Sequence, residues 1–178
     1  MNSASSSRPI LNILDIVDGT SVDGPGLRTS IYLAGCTHRC PGCQNPQSWD
    51  DTGGIPMTID EIMERVKDNG LPVTLSGGDP LMNPDRLRPL LEAMRENRIN
   101  VWVYTGYTYE ELIDDPIRRP LLDMIDVLAD GPFILSQRDT SLLFRGSANQ
   151  RLIDIRGTRA ASSKEPSSKE PVLWKSTF

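Results

Sequence analysis

"LRTSIYLAGCTHRCPGCQN" occupies residues 27–45, and the fold is read outward from it. Its first eight residues, 27–34, read as a strand ending in Ile31, Tyr32 and Leu33. A loop follows without a spacer. It holds Cys36, Cys40 and Cys43, the only three cysteines of the chain, and His38, its only histidine. A strand that empties directly into such a loop suits a parallel α/β sheet, where ligands gather beyond the strand C-termini.

The rest of the chain repeats that arrangement. Residues 72–75 (PVTL) form a short buried strand followed by SGGDPL, 76–81. Residues 100–105 (NVWVYT) form a strand rich in β-branched and aromatic residues, followed by TGY, 105–107. Residues 125–131 (IDVLADG) are a strand and its turn, and 145–156 a last strand or strap. Residues 10–17 read as an edge strand interrupted by Asn12 and Asp15.

Helices fall between these strands. TIDE (58–61) is a capping box that opens a helix with an apolar stripe at Ile59, Ile62, Met63 and Val66, closed by Gly70. A second helix is expected to start near Pro89, because proline is tolerated only in a first turn, and to run to Asn97. TYEE (108–111) is another capping box, and a further helix covers 117–124. Alternation of strand and helix predicts an α/β core with a mainly parallel sheet and right-handed crossovers. The loops holding the cysteines, SGGD, TGY and ADG would then meet on one face.

Composition narrows the function. Twenty-four acidic against 19 basic residues give a net charge of −5, which argues against direct nucleic-acid binding through a wide basic face. No apolar run approaches the ~20 residues of a membrane helix, and the start, MNSASSSRPI, has no signal-peptide pattern, so cytoplasm is the expected compartment. Residues 1–9 and 157–171 are expected to be disordered; the latter include SSKEP twice in tandem. VLWKSTF, 172–178, is expected to be a frayed end rather than a docking peptide. The ordered domain is placed at 10–156, with a low-complexity tail at 157–178.

Three cysteines are one too many for a disulfide and one too few for a closed four-thiolate site. Thiolates suit zinc and iron–sulfur clusters. With His38 they could make a Cys₃His zinc site, but four ligands from residues 36–43 would staple only their own loop, whereas structural zinc joins separated segments. A four-iron cubane held by three thiolates keeps one iron without a protein thiolate, and a small molecule could bind there.

CTHRCPGC resembles the C-x₃-C-x₂-C motif of radical S-adenosylmethionine enzymes. DGPGLRTSIYLAGC (23–36), LSGGDPL (75–81), VWVYTGYTYEEL (101–112) and RGSANQR (145–151) extend the likeness across about residues 13–155. Together they resemble the activating proteins of anaerobic ribonucleotide reductase. The resemblance implies an incomplete parallel (β/α) barrel of the radical SAM type, and chain length leaves room for about five or six strand–helix units. It implies a [4Fe-4S] cluster on Cys36, Cys40 and Cys43, and S-adenosyl-L-methionine bound by Gly42, Cys43, Gln44, Gly77, Gly78 and Asp79.

Electron transfer to the sulfonium would release methionine and a 5′-deoxyadenosyl radical, which takes hydrogen from a glycine of the reductase. The implied partners are that glycyl-radical subunit and an external one-electron donor such as flavodoxin, with no nucleic acid and no membrane. Position 42 is glycine where many such enzymes carry an aromatic that meets adenine, and Gln44 stands where relatives often have one. Arg28 and Arg145 are candidate carboxylate partners, and His38 is expected to support the loop rather than ligate. Two alternatives stay open: an activase of another glycyl-radical enzyme, and a non-enzymatic zinc or electron-carrier module.

Overall fold

A computed structural model describes residues 9–164 and 170–176. Its frame is one sheet of seven strands: β1 (Ile10–Thr20), β2 (Arg28–Leu33), β3 (Ile55–Thr58), β4 (Val73–Gly77), β5 (Val101–Tyr104), β6 (Val127–Asp130) and β7 (Arg151–Asp154). Their spatial order is β3-β1-β2-β4-β5-β6-β7. The pairs β2–β4, β4–β5 and β5–β6 are parallel, while β1 pairs antiparallel with β2 and β3, and β7 with β6. The sheet is therefore mixed, with a four-stranded parallel centre and antiparallel flanks. It has seven strands rather than the expected five or six.

Two of the differences have local causes. β1 lies inside the sheet, between β3 and β2, and is not an edge strand. Register shifts between Ile13 and Asp15 and between Val17 and Thr20 break the alternation by which it was read. β3 occupies the edge, which is why it tolerates Pro56: an edge proline costs no ladder hydrogen bond on its open side.

Five helices follow: α1 (Ile59–Asn69), α2 (Pro84–Glu96), α3 (Tyr109–Asp114), α4 (Arg119–Leu122) and α5 (Ile155–Lys164). Both capping boxes are present in full, Thr58 with Glu61 and Thr108 with Glu111, and Gly70 closes α1 in the left-handed conformation. α2 begins at Pro84 rather than near Pro89, which sits inside it. Leu87, Leu90, Leu91 and Met94 are all fully buried, and a start at residue 89 would leave Leu87 off that stripe. Burying a leucine contributes about 1.5–3 kcal/mol, which offsets much of the ~3 kcal/mol that an interior proline costs.

The pleat sorts the two faces of the sheet. Ile31 and Leu33 of β2, Val73 and Leu75 of β4, and Val101 and Val103 of β5 share the main core with the stripes of α1 and α2. The opposite face carries Arg28, Thr74, Trp102 and Tyr104 on the same strands. Arg28 does not reach toward a ligand. It is 2% exposed, donating through Nε to Thr74 Oγ1 (2.8 Å) and through Nη2 to Val73 O (2.7 Å), with its guanidinium over the Trp102 ring. Burial brings its pKa down to about 10. It is an internal pin between β2 and β4.

The boundary expected at residue 157 cuts α5. Asp154 Oδ1 accepts from Gly157 N (2.8 Å) and so caps this helix, while Ile155 and Thr158 are buried beneath it. Of the stretch expected to be frayed, residues 172–174 are docked: Leu173 bridges Ile153, and Trp174 N donates to Leu152 O (2.8 Å), while 177–178 lie outside the described residues. The other residues expected to be disordered, 1–8 and 165–169, lie outside the described ones.

Candidate cofactor site

Parallel pairing puts the C-terminal ends of β2, β4, β5 and β6 along one edge, so four loops meet there. They line a cavity of about 530 Å³. Cys36, Cys40, Cys43 and Gln44 come from the first loop; Gly77, Gly78 and Asp79 from the second; Thr105 and Gly106 from the third; Phe133, Phe144 and Arg145 from the fourth. The convergence expected from the sequence is what the structure shows. Gly42 alone among the expected site residues is not in the lining. Its φ of +74° serves the turn between Cys40 and Cys43, and the nearest group to a Cβ built there would be the Leu135 side chain.

The cysteine loop is fastened by main-chain bonds. Gly35 N donates to Ser48 O (2.7 Å), Cys36 N to Trp49 O (3.2 Å) and Cys43 N to Cys40 O (3.1 Å). The Asn45 amide side chain reaches Gly77 O (3.3 Å) across the cavity floor. All three thiols are free and half-buried, and burial raises the Cys36 pKa. Among the described residues, no three His, Cys, Asp or Glu side chains are gathered tightly enough for a single metal ion. A polynuclear cluster is a larger body, and three soft donors around one opening suit it.

Gly77 and Gly78 matter first to the backbone. A Cβ on Gly77 would stand 2.5 Å from Leu33 N, and one on Gly78 would stand 2.2 Å from Gly35 O. The pair lets the β4 exit lie directly against the β2 exit, which carries the cysteines.

Asp79 has a different task from the one expected. It is 4% exposed, and its carboxylate accepts from Leu81 N (2.8 Å), Thr105 Oγ1 (2.9 Å), Gly106 N (2.9 Å) and, with the imidazole proton on Nε2, from His38 (2.8 Å). Those donors leave it little capacity for a bound ammonium. It ties three of the four loops together.

His38 answers from the cysteine loop, its ring edge-on to Tyr107 (4.6 Å between centroids) and seated on Gly106. The Asp79 hydrogen bond raises the His38 pKa, against the opposing effect of burial. Asp79→Ala is expected to cost the apo-protein about 3 kcal/mol or more in urea unfolding, since each buried donor left unmet costs about 1–3 kcal/mol. Iron retained after reconstitution should fall about 10–100-fold, as for loss of an outer partner of a ligand loop.

Sequence reading did not single out Trp49, Phe133 or Phe144, and it touched Thr105 and Gln150 only as members of TGY and RGSANQR. For the first three the only signal was position, in the connections that follow β2 and β6. Gln150 staples the fourth loop: Oε1 accepts from Gly146 N (2.9 Å) and Nε2 donates to Gly131 O (3.0 Å). Arg145 donates to Gln150 O (3.1 Å), yet its Nε is buried without a partner, as is Trp49 Nε1. Both atoms are closed off from the cavity, so the fourth loop and the cysteine loop each keep one polar atom unpaired inside the protein.

Residues 22–153 match a family model described as a 4Fe-4S single cluster domain. The anaerobic ribonucleoside-triphosphate reductase-activating protein of Haemophilus influenzae is 40% identical over 154 residues, covering 79% of this chain and 96% of the relative. That of Pasteurella multocida is 43% identical over 72% and 88%, and that of Escherichia coli K12 36% over 76% and 93%. Among solved structures, QueE from Escherichia coli overlays with a TM-score of 0.42 at 18% identity, covering 57% of this chain and 53% of that one. With a 4Fe-4S domain matched over most of its length and relatives of one name along nearly their whole chains, this protein belongs to the family of anaerobic ribonucleoside-triphosphate reductase-activating proteins.

Proposed function

We propose that this protein activates anaerobic ribonucleotide reductase, with a [4Fe-4S] cluster on Cys36, Cys40 and Cys43 and S-adenosyl-L-methionine in the adjoining cavity. The observation that carries the reading is the meeting of three thiols and four strand-end loops on one cavity in a chain of this family. Its volume lies within the ~300–1,000 Å³ usual for small-molecule sites. When bound, the reduced cluster and the sulfonium supply a 5′-deoxyadenosyl radical able to take hydrogen from a glycine Cα of the reductase.

The chain's own residues do the holding. The thiolates of Cys36, Cys40 and Cys43 would hold the cluster. Gln44, the Gly77–Gly78 backbone and Arg145 line the cavity and would flank the nucleoside. Phe133 and Phe144 supply flat apolar surface for a base, in place of the aromatic lacking at position 42. Asp79 acts through His38 on the loop and not on the ligand.

The same reading takes the sheet as an incomplete barrel of the radical SAM type. The main helices α1 and α2 pack on one face, while the cavity and Arg28 belong with the other. All three cysteines sit in one loop, so none remains for a second cluster, and the electron comes from an external donor of the flavodoxin kind. Cytoplasm, where thiols stay reduced, suits this chemistry. Among the described residues no helix is long and apolar enough to cross a membrane.

The test is anaerobic. Reconstituted protein, reductant, S-adenosyl-L-methionine and the reductase are expected to give 5′-deoxyadenosine, methionine and a glycyl radical seen by electron paramagnetic resonance. Stoichiometric iron and sulfide with neither product nor radical would overturn the reading.

A further inference from the structure

The family match ends at residue 153, but the chain goes on to build part of the cavity wall from behind. Residues 172–174 run along β7: Asp154 N donates to Val172 O (2.8 Å), Val172 N to Thr158 Oγ1 (2.8 Å), and Trp174 N to Leu152 O (2.8 Å). This strap delivers the Trp174 ring into a second, aromatic cluster on the sheet face away from the main core. There Trp174 meets Trp102 edge-on (5.1 Å between centroids) and Phe144 (6.3 Å), and Phe144 meets Trp102 (5.8 Å).

Phe144 is the connection to the site. It lines the cavity beside Arg145, and its φ is +56°. A bulky side chain in that left-handed region costs roughly 1–2 kcal/mol and persists only where its surroundings enforce it. The enforcing contacts are the two tryptophan rings and the Tyr104 hydroxyl, which donates to Phe144 O (2.9 Å). The wall is thin. Arg145 borders the cavity on one side and, on the other, a recess of about 290 Å³ shared with Leu152, Leu173 and Trp174.

Resting on the proposed function, we infer that Trp174 is a positioning residue of the cofactor cavity. It touches no cavity surface itself. It props Phe144 in its strained conformation and so presents Arg145 to the cofactor. Without it, Phe144 relaxes and the wall loses the shape that receives the nucleoside.

The test uses the full chain, anaerobically reconstituted, with S-adenosyl-L-methionine as the probe in equilibrium dialysis. Trp174→Ala is expected to bind it about tenfold more weakly, within the range usual for coupling between distinct sites, and Trp174→Phe within about threefold of the parent. Iron and sulfide content should be unchanged in both, which a general loss of structure would not allow. A second measurement reads the parent chain itself, with the Trp174 resonance assigned by its absence from Trp174→Phe. With 5-fluorotryptophan incorporated, the Trp174 fluorine resonance is expected to move on saturation with the cofactor, because coupling is reciprocal. Equal affinity in Trp174→Ala, or a stationary Trp174 resonance, overturns the inference and leaves the proposed function standing. No binding to the parent chain overturns both.

Discussion

Cys40→Ala is expected to leave a folded protein that no longer holds its cluster or cleaves S-adenosyl-L-methionine. None of the three cysteines belongs to the main core or to the aromatic cluster, so apo-protein stability should change by no more than about 0.5 kcal/mol. The cluster has no spare donor. Three thiolates serve four irons, and Cys40 also anchors the turn to Cys43 through its carbonyl. Losing an outer-shell partner of a metal ligand already costs 10–100-fold, so losing a ligand should cost more than about a hundredfold in cofactor cleavage. Iron and sulfide per chain, absorbance of the reconstituted protein and 5′-deoxyadenosine formed after reduction are the measurements. Parent-level iron and cleavage in Cys40→Ala would remove this residue from the ligand set and leave the vacant-iron argument without its basis.

What the sequence disclosed, and what it hid, divides along physical lines. The capping boxes at Thr58 and Thr108 were legible because each motif closes within four residues, and the structure forms both. The meeting of loops was legible because parallel order alone dictates it. Interactions spanning many residues were not. Arg28 looked like a ligand-binding cation, but its partners Thr74 and Val73 are brought to it by strand pairing 45 residues away. Asp79 looked like a ligand carboxylate until Thr105, Gly106 and His38 arrived from other loops to occupy it. β3 was hidden by Pro56, whose tolerance depends on being at an edge, a fact about neighbours and not about the segment. Trp174 was hidden most deeply. Composition marks its surroundings as a poor core former, and only the docked strap shows that one aromatic can anchor there.

Gly78→Ala separates two explanations of the glycine pair. If Gly78 only leaves room for a ligand, alanine should weaken cofactor binding and spare the apo-protein. The geometry argues otherwise. A Cβ at this position falls 2.2 Å from Gly35 O and 2.7 Å from Gly35 C, both backbone atoms with no rotamer to escape into. Gly35 is itself held, its N–H donating to Ser48 O (2.7 Å) and its carbonyl accepting from Asp79 N (2.8 Å). Relief requires the β2 and β4 exits to separate, which breaks the Asp79–Gly35 bond and shifts Cys36, the next residue along. The cost is expected to reach about 4 kcal/mol or more, equivalent to roughly 8–16 °C in Tm for a domain of this size. Thermal unfolding of the apo-protein measures it with no metal or cofactor present. A parent-like Tm combined with weakened S-adenosyl-L-methionine binding would return Gly78 to a purely ligand-facing role. A large fall in Tm would show that the loop holding the thiolates is set by backbone contact before any cofactor arrives.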